Sequence, residues 1–178
     1  MNKLTLAIML LFTTAFAAAQ PRLPENYFWK KLSNGLEVVV IENHKVPLAT
    51  IEIAVRNGAY TEGAEYSGLS HLFEHMFFKA NRDYPDQEKF LNRTQELGAI
   101  WNGTTGDERV NYFFTFDKDS LSAGLHFMNS AIRFPIYRTE DMQKERPVVD
   151  GEFQRGESDP GFQIWYECQK KLWGDLVT

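Results

Sequence analysis

A chain of 178 residues with 43% hydrophobic residues and fourteen Phe carries enough apolar material for a packed core, which excludes a disordered polymer. The formal net charge of −5, with no run of Lys and Arg, leaves no cationic face for phosphate and argues against a nucleic-acid partner. Cys168 is the only cysteine, so no intrachain disulfide forms, and the sequence reads it as a lone buried thiol.

The chain opens with Lys3, an apolar run from Leu4 to Phe16 and Ala17-Ala18-Ala19-Gln20. A positive start, a short apolar stretch and an Ala-x-Ala site form the pattern of a secretory leader, too short to span a bilayer, where about 20 apolar residues are needed. Residues 1–19 are therefore expected to be a signal peptide and the product exported, periplasmic or extracellular, with no membrane span once the leader is removed. Residues 20–178 are read as one domain.

Two Val- and aromatic-rich runs, Tyr27 to Leu32 and Leu36 to Ile41, flank Asn34-Gly35 and predict a hairpin with a two-residue turn in which both central residues take positive φ. Leu48 to Val55 alternates Ile51, Ile53 and Val55 with Thr50, Glu52 and Ala54, a third strand with one polar face. After a Gly-rich connection the period changes to 3.6 at Leu69, Leu72, Phe73, Met76 and Phe77, an amphipathic helix. A second helix is expected from Pro85 to Leu97, ended by Gly98. Strands over Ala99 to Thr104 and Val110 to Phe116 follow, then helices from Asp119 to Phe134, from Thr139 onward with an interruption or bend at Pro147, and from Phe162 to Trp173. The order gives an α+β fold with an antiparallel-dominated mixed sheet and helices packed mainly on one face.

Chemistry concentrates in His71-Leu72-Phe73-Glu74-His75 on the first helix. At 100° per residue the apolar residues share one side while His71, Glu74 and His75 point away from it, and imidazoles four apart stack one turn over the other. Such a pair can grip one metal ion, and the intervening carboxylate of Glu74 is placed to act as a base beside it. A catalytic zinc site usually has three protein ligands, so a third must come from elsewhere.

The order His-x-x-Glu-His reverses the commoner zinc motif and resembles the inverzincins. The run Gly68 to Lys79 is similar almost throughout to the signature helix of the insulinase, pitrilysin and mitochondrial-processing-peptidase family. That resemblance implies a zinc metalloendopeptidase with His71 and His75 as ligands and Glu74 as general base. It also implies a third ligand after seventy-six intervening residues, which is Glu152, and a supporting acidic residue seven positions earlier, which is Glu145. Seven residues are close to two helical turns, so these two would share a face. The segment Gly98 to Tyr112 resembles the family's edge strand, which pairs with an extended peptide substrate, and Asn102, Gly103 and Thr104 would make the contacts. Gly103 stands where the family commonly has Ala. Family members are longer, with a second homologous half or partner subunit closing a chamber around the peptide. The sequence is accordingly read as a C-terminally truncated piece of the catalytic half.

Two other readings stay in view. One is a non-catalytic, metal-bearing subunit that needs a partner. The other is a lyase resembling S-ribosylhomocysteinase, whose similar helix takes a Cys as third ligand, here Cys168; the leader and the register of Glu152 argue against it.

Overall fold

The computed structural model describes residues 23–174 and divides them between Val46 and Pro47 into two compact units. The expected leader lies outside the described residues. No described helix is long and apolar enough to cross a membrane.

In the first unit β1 (Tyr27–Lys31) pairs antiparallel with β2 (Glu37–Ile41). The hairpin is present, but its loop differs from the expected turn. Lys31 opposes Glu37 and Leu32 N–H donates to Leu36 O, so three residues, Ser33 to Gly35, make the connection. Only Gly35 has positive φ, at 88°. A three-residue loop needs one left-handed residue at its end, whereas a two-residue turn would have forced Asn34 there as well.

The second unit is built on a three-stranded antiparallel sheet in the order β3 (Leu48–Val55), β5 (Val110–Asp117), β4 (Ile100–Thr105). Every pairing among the described residues is antiparallel, and the hairpin and this sheet are separate. One face carries polar pairs, Thr50 with Thr115 and Asn111 with Glu52. The other presents Tyr112, Phe114 and Phe116 to the helices, buried with Phe77, Phe78, Phe90, Phe127 and Met128. Phe77 stacks on Tyr112 with centroids 4.0 Å apart, Phe78 on Trp101 at 4.5 Å, and Phe90 meets Phe127 at 4.8 Å. Each buried ring of this kind stabilises the fold by about 1.5–3 kcal/mol relative to leaving it exposed. This aromatic layer seats α1 (Leu69–Phe77), α2 (Gln87–Glu96) and α3 (Leu121–Arg133).

The helix ends show how the chain is steered. Gly68, with φ 83°, starts α1 without a capping side chain, and Glu62 supplies the acceptors instead, taking hydrogen bonds from Gly68 N–H at 2.7 Å and Ser70 N–H at 2.5 Å. Helix α2 begins later than expected. Asp86, which accepts from Lys89 N–H at 2.8 Å, is its N-cap, and Pro85 lies outside. At its other end Gly98 (φ 61°) donates to Gln95 O and Ala99 to Thr94 O, a Schellman motif that turns the chain into β4. Then follow α4 (Thr139–Glu157) and α5 (Pro160–Trp173).

Of the interruption or bend expected at Pro147, the interruption does not occur: α4 runs unbroken through it. A proline removes one N–H and frees the carbonyl four residues back, here that of Gln143. Both Gln143 and Pro147 are exposed, so water can take the freed acceptor. Cys168 also departs from expectation. It is exposed on α5, whose apolar residues Ile164, Trp165 and Leu172 are exposed as well.

Helix α3 approaches the sheet through Gly124, where an added Cβ would lie 2.1 Å from the ring of Phe116. Phe116 is only 2% exposed and has no room to retreat. Gly124→Ala should therefore lower unfolding stability by up to about 2 kcal/mol, the overpacking cost of about 1–3 kcal/mol less the helix-propensity gain of about 1 kcal/mol. A urea titration followed by circular dichroism checks this, and an unchanged or raised midpoint would contradict it.

Candidate metal centre

Helix α1 lies between the sheet and α4, so its polar side is covered rather than open to solvent. Glu74 is only 7% exposed, more buried than the half-buried apolar residues Leu72 and Phe73 of the same helix. Phe73 stacks on Tyr137, just ahead of α4, with ring centroids 5.2 Å apart. This contact helps bring the start of α4 against α1.

The apposition gathers His71, His75 and Glu152. Nε2 of His71 and Nε2 of His75 are 3.2 Å apart, and Glu152 Oε2 lies 3.4 Å from the first and 3.6 Å from the second. Two ligand bonds of about 2.05 Å meeting at a tetrahedral angle place their donor atoms about 3.3 Å apart. The triangle therefore has the dimensions of three corners of a zinc tetrahedron, and its chemistry, two imidazoles and one carboxylate, suits that ion. His71, His75 and Glu152 line one cleft together with Glu74 and Trp101 to Thr105 of β4.

Glu145 occupies the place its spacing predicts, two turns before Glu152 on the same helix. Its Oε1 accepts from His75 Nδ1 at 2.8 Å, which fixes the proton on Nδ1 and turns the Nε2 lone pair towards the other two donors. The carboxylate is 8% exposed. Burial works to raise its pKa, but the hydrogen bonds and charges of Lys79 and His75 outweigh this and hold it below the ordinary value. Lys79, whose Nζ reaches Glu145 Oε2, was not singled out in the sequence. Its position on the turn that follows α1 was the available signal, and its partner lies on a different helix.

The expected edge residues divide. Strand β4 is at the edge of its sheet among the described residues. Gly106 N–H donates to Arg109 O, and bonded pairs alternate along an antiparallel ladder, so Thr104 and Asn102 turn their backbone groups inward to β5. Trp101, Gly103 and Thr105 turn theirs to the open edge. Of the three named residues, Gly103 has the outward backbone, and its N–H is met by Asn102 Oδ1 at 3.0 Å. Thr105 was also missed in the sequence: its hydroxyl donates to Glu74 Oε2 at 3.0 Å. Cys168, the rival third ligand, is not part of the gathered group.

A reversed His-x-x-Glu-His helix whose candidate third donor comes from a later helix, set beside an edge strand, is the pattern of the inverzincin fold. Residues 37–165 match the family described as Insulinase (Peptidase family M16), and the chain belongs to that family. It is 30% identical over 126 residues to an insulin-degrading enzyme homolog of Dictyostelium discoideum, covering 71% of this chain and 13% of that protein. It is 26% identical over 151 residues to an uncharacterized zinc protease of Rickettsia felis, covering 85% of this chain and 36% of that one. The fold is similar to that of a protease from Helicobacter pylori, with a TM-score of 0.75 at 22% identity, over 84% of this chain and 36% of the other. The chain thus spans well under half the length of these relatives.

Replacing Glu145 by Gln keeps its shape but removes the charge that meets both His75 and Lys79. Zinc affinity, measured by competition with a chromogenic chelator, should fall about 10–100-fold, the usual cost of losing a partner that orients a ligand imidazole. Unchanged affinity would mean that Glu145 does not act on the metal through His75.

Proposed function

We propose that the chain is a zinc-dependent endopeptidase domain that hydrolyses extended peptides as the catalytic half of a larger chamber. The observation that carries this reading is the triangle of His71, His75 and Glu152 with zinc-sized edges, beside a buried carboxylate and an open strand edge. When bound, zinc supplies the Lewis acidity that polarises a peptide carbonyl and makes water acidic near neutral pH.

This chain's own residues do the rest. A substrate strand pairs along β4 through the outward backbone of Trp101, Gly103 and Thr105, so affinity comes from main-chain hydrogen bonds with little dependence on side chains. That pairing draws the scissile bond past Glu74. A carboxylate of Glu74 accepts the proton of the attacking water and returns it to the nitrogen of the leaving amine. Glu145 and Lys79 keep His75 in the tautomer whose Nε2 faces the site.

Because the relatives are much longer, closure of the site around the peptide is assigned to a second half or partner subunit. The leader pattern in residues 1–19 supports export as the setting. The second reading, a metal-bearing subunit inactive alone, is favoured by the same difference in length. Hydrolysis by this chain alone, compared with a mixture containing a candidate partner, separates the two.

Glu74→Gln should retain zinc at one ion per chain while hydrolysis of a quenched fluorescent peptide is abolished, and His71→Ala should lose both zinc and turnover. Metal analysis beside the peptide assay reads each; normal turnover by Glu74→Gln would remove that residue from the role of base.

A further inference from the structure

Glu74 is a buried residue, 7% exposed, yet among the described residues its side chain has one hydrogen-bond partner, the hydroxyl of Thr105 on Oε2 at 3.0 Å. A buried carboxylate held by so little is free to swing unless its surroundings are shaped to it. They are. Gly103, two residues earlier on the same face of β4, leaves a space that Glu74 fills: a Cβ there would stand 2.3 Å from Oε1, 2.8 Å from Cδ and 2.9 Å from Cγ. Gly103 does not have positive φ, so its backbone does not require glycine. The space that a Cβ would take is occupied by the Glu74 carboxylate lying against the strand, so a larger residue here would push that carboxylate aside.

We propose that Gly103 and Thr105 form a seat on β4 that positions Glu74, with Oε2 anchored by the Thr105 hydroxyl and Oε1 left as the oxygen that carries the proton; the inference rests on the peptidase reading above. Oε1 lies over Gly103, whose backbone turns to the open edge. A peptide paired along that edge passes beside the oxygen that must take a proton from water and deliver it to the leaving nitrogen. Thr105 suits the anchor because its β-branched side chain has few χ1 choices in a strand, which gives the hydroxyl a defined direction. Strand alternation makes the device compact. Residues 103 and 105 share one face, so the space and the donor stand next to each other under one carboxylate.

The test uses the zinc-loaded chain and four variants, Thr105→Val, Thr105→Ser, Gly103→Ala and Glu74→Gln. Three readouts are zinc affinity, peptide hydrolysis, and the Glu74 carboxyl carbon resonance in protein labelled with carbon-13 at the Glu side-chain carboxyl, assigned by its loss in Glu74→Gln. Thr105→Val, which keeps shape and removes the donor, should move that resonance and lower kcat about tenfold, a loss of about 1.4 kcal/mol in transition-state stabilisation, with KM and zinc affinity within about twofold. Thr105→Ser should restore both, and Gly103→Ala should move the resonance, because the added Cβ displaces Oε1, with zinc retained. A resonance left in place by Thr105→Val, a failure of Thr105→Ser to rescue, or a parallel loss of zinc would overturn the seat. If the unaltered chain hydrolyses no peptide, alone or with a partner, the peptidase reading fails, while the resonance still decides whether the seat exists.

Discussion

The candidate metal centre depends on α4 lying against α1, since neither helix supplies all three of its donors by itself. Two imidazoles one turn apart supply two corners of a tetrahedron, and only a carboxylate arriving from the facing helix adds a third at 3.4–3.6 Å. The stacking of Phe73 on Tyr137 and the chain from Lys79 through Glu145 to His75 bind the same two elements. The second of these contacts joins stability to chemistry: the ion pair that compensates a buried carboxylate also sets the tautomer of a proposed ligand. Removing one member of a buried pair costs about 3–5 kcal/mol because the other is left uncompensated, so the arrangement resists partial loss.

Behind α1 the aromatic layer performs the complementary task. Phe77 and Phe78 lock the far side of the helix onto Tyr112 and Trp101, so the His face cannot rotate without breaking stacked rings. The Schellman motif after α2 then fixes where β4 begins, and thereby which of its residues face the site. A one-residue slip would bring Asn102 and Thr104 under Glu74, keeping a hydroxyl there but filling the glycine space with the Asn102 side chain.

Much of this was legible in the residues. The 3.6 period gave α1 its limits at Leu69 and Phe77, and the motif order pointed to the family before any geometry was known. The spacing that led to Glu145 and Glu152 came from resemblance, since acidic residues on a polar helix are ordinarily solvated. Pro147 does not break α4 because proline's penalty depends on whether the freed carbonyl meets water, which is a matter of which side of α4 faces out. Asn34 misled because the same Asn-Gly pair serves two loop lengths. Cys168 misled because burial statistics for a residue type say nothing about one helix face. Lys79 and Thr105 lie within the runs that resemble the family, but nothing local marked their roles: each acts through one contact to a residue far away in the chain.

By itself the sequence determined the type and order of the elements in the second unit and the His-x-x-Glu-His helix that points to the family, because periodicity, turn chemistry and a short-range motif are local properties. Tertiary structure alone decided that the His face would be covered, that Glu152 would come within ligand distance, and that β4 would turn Gly103 and Thr105 beneath Glu74. These are distances between segments far apart in sequence, set by how the apolar faces of helices and sheet close on one another, and no local rule encodes them.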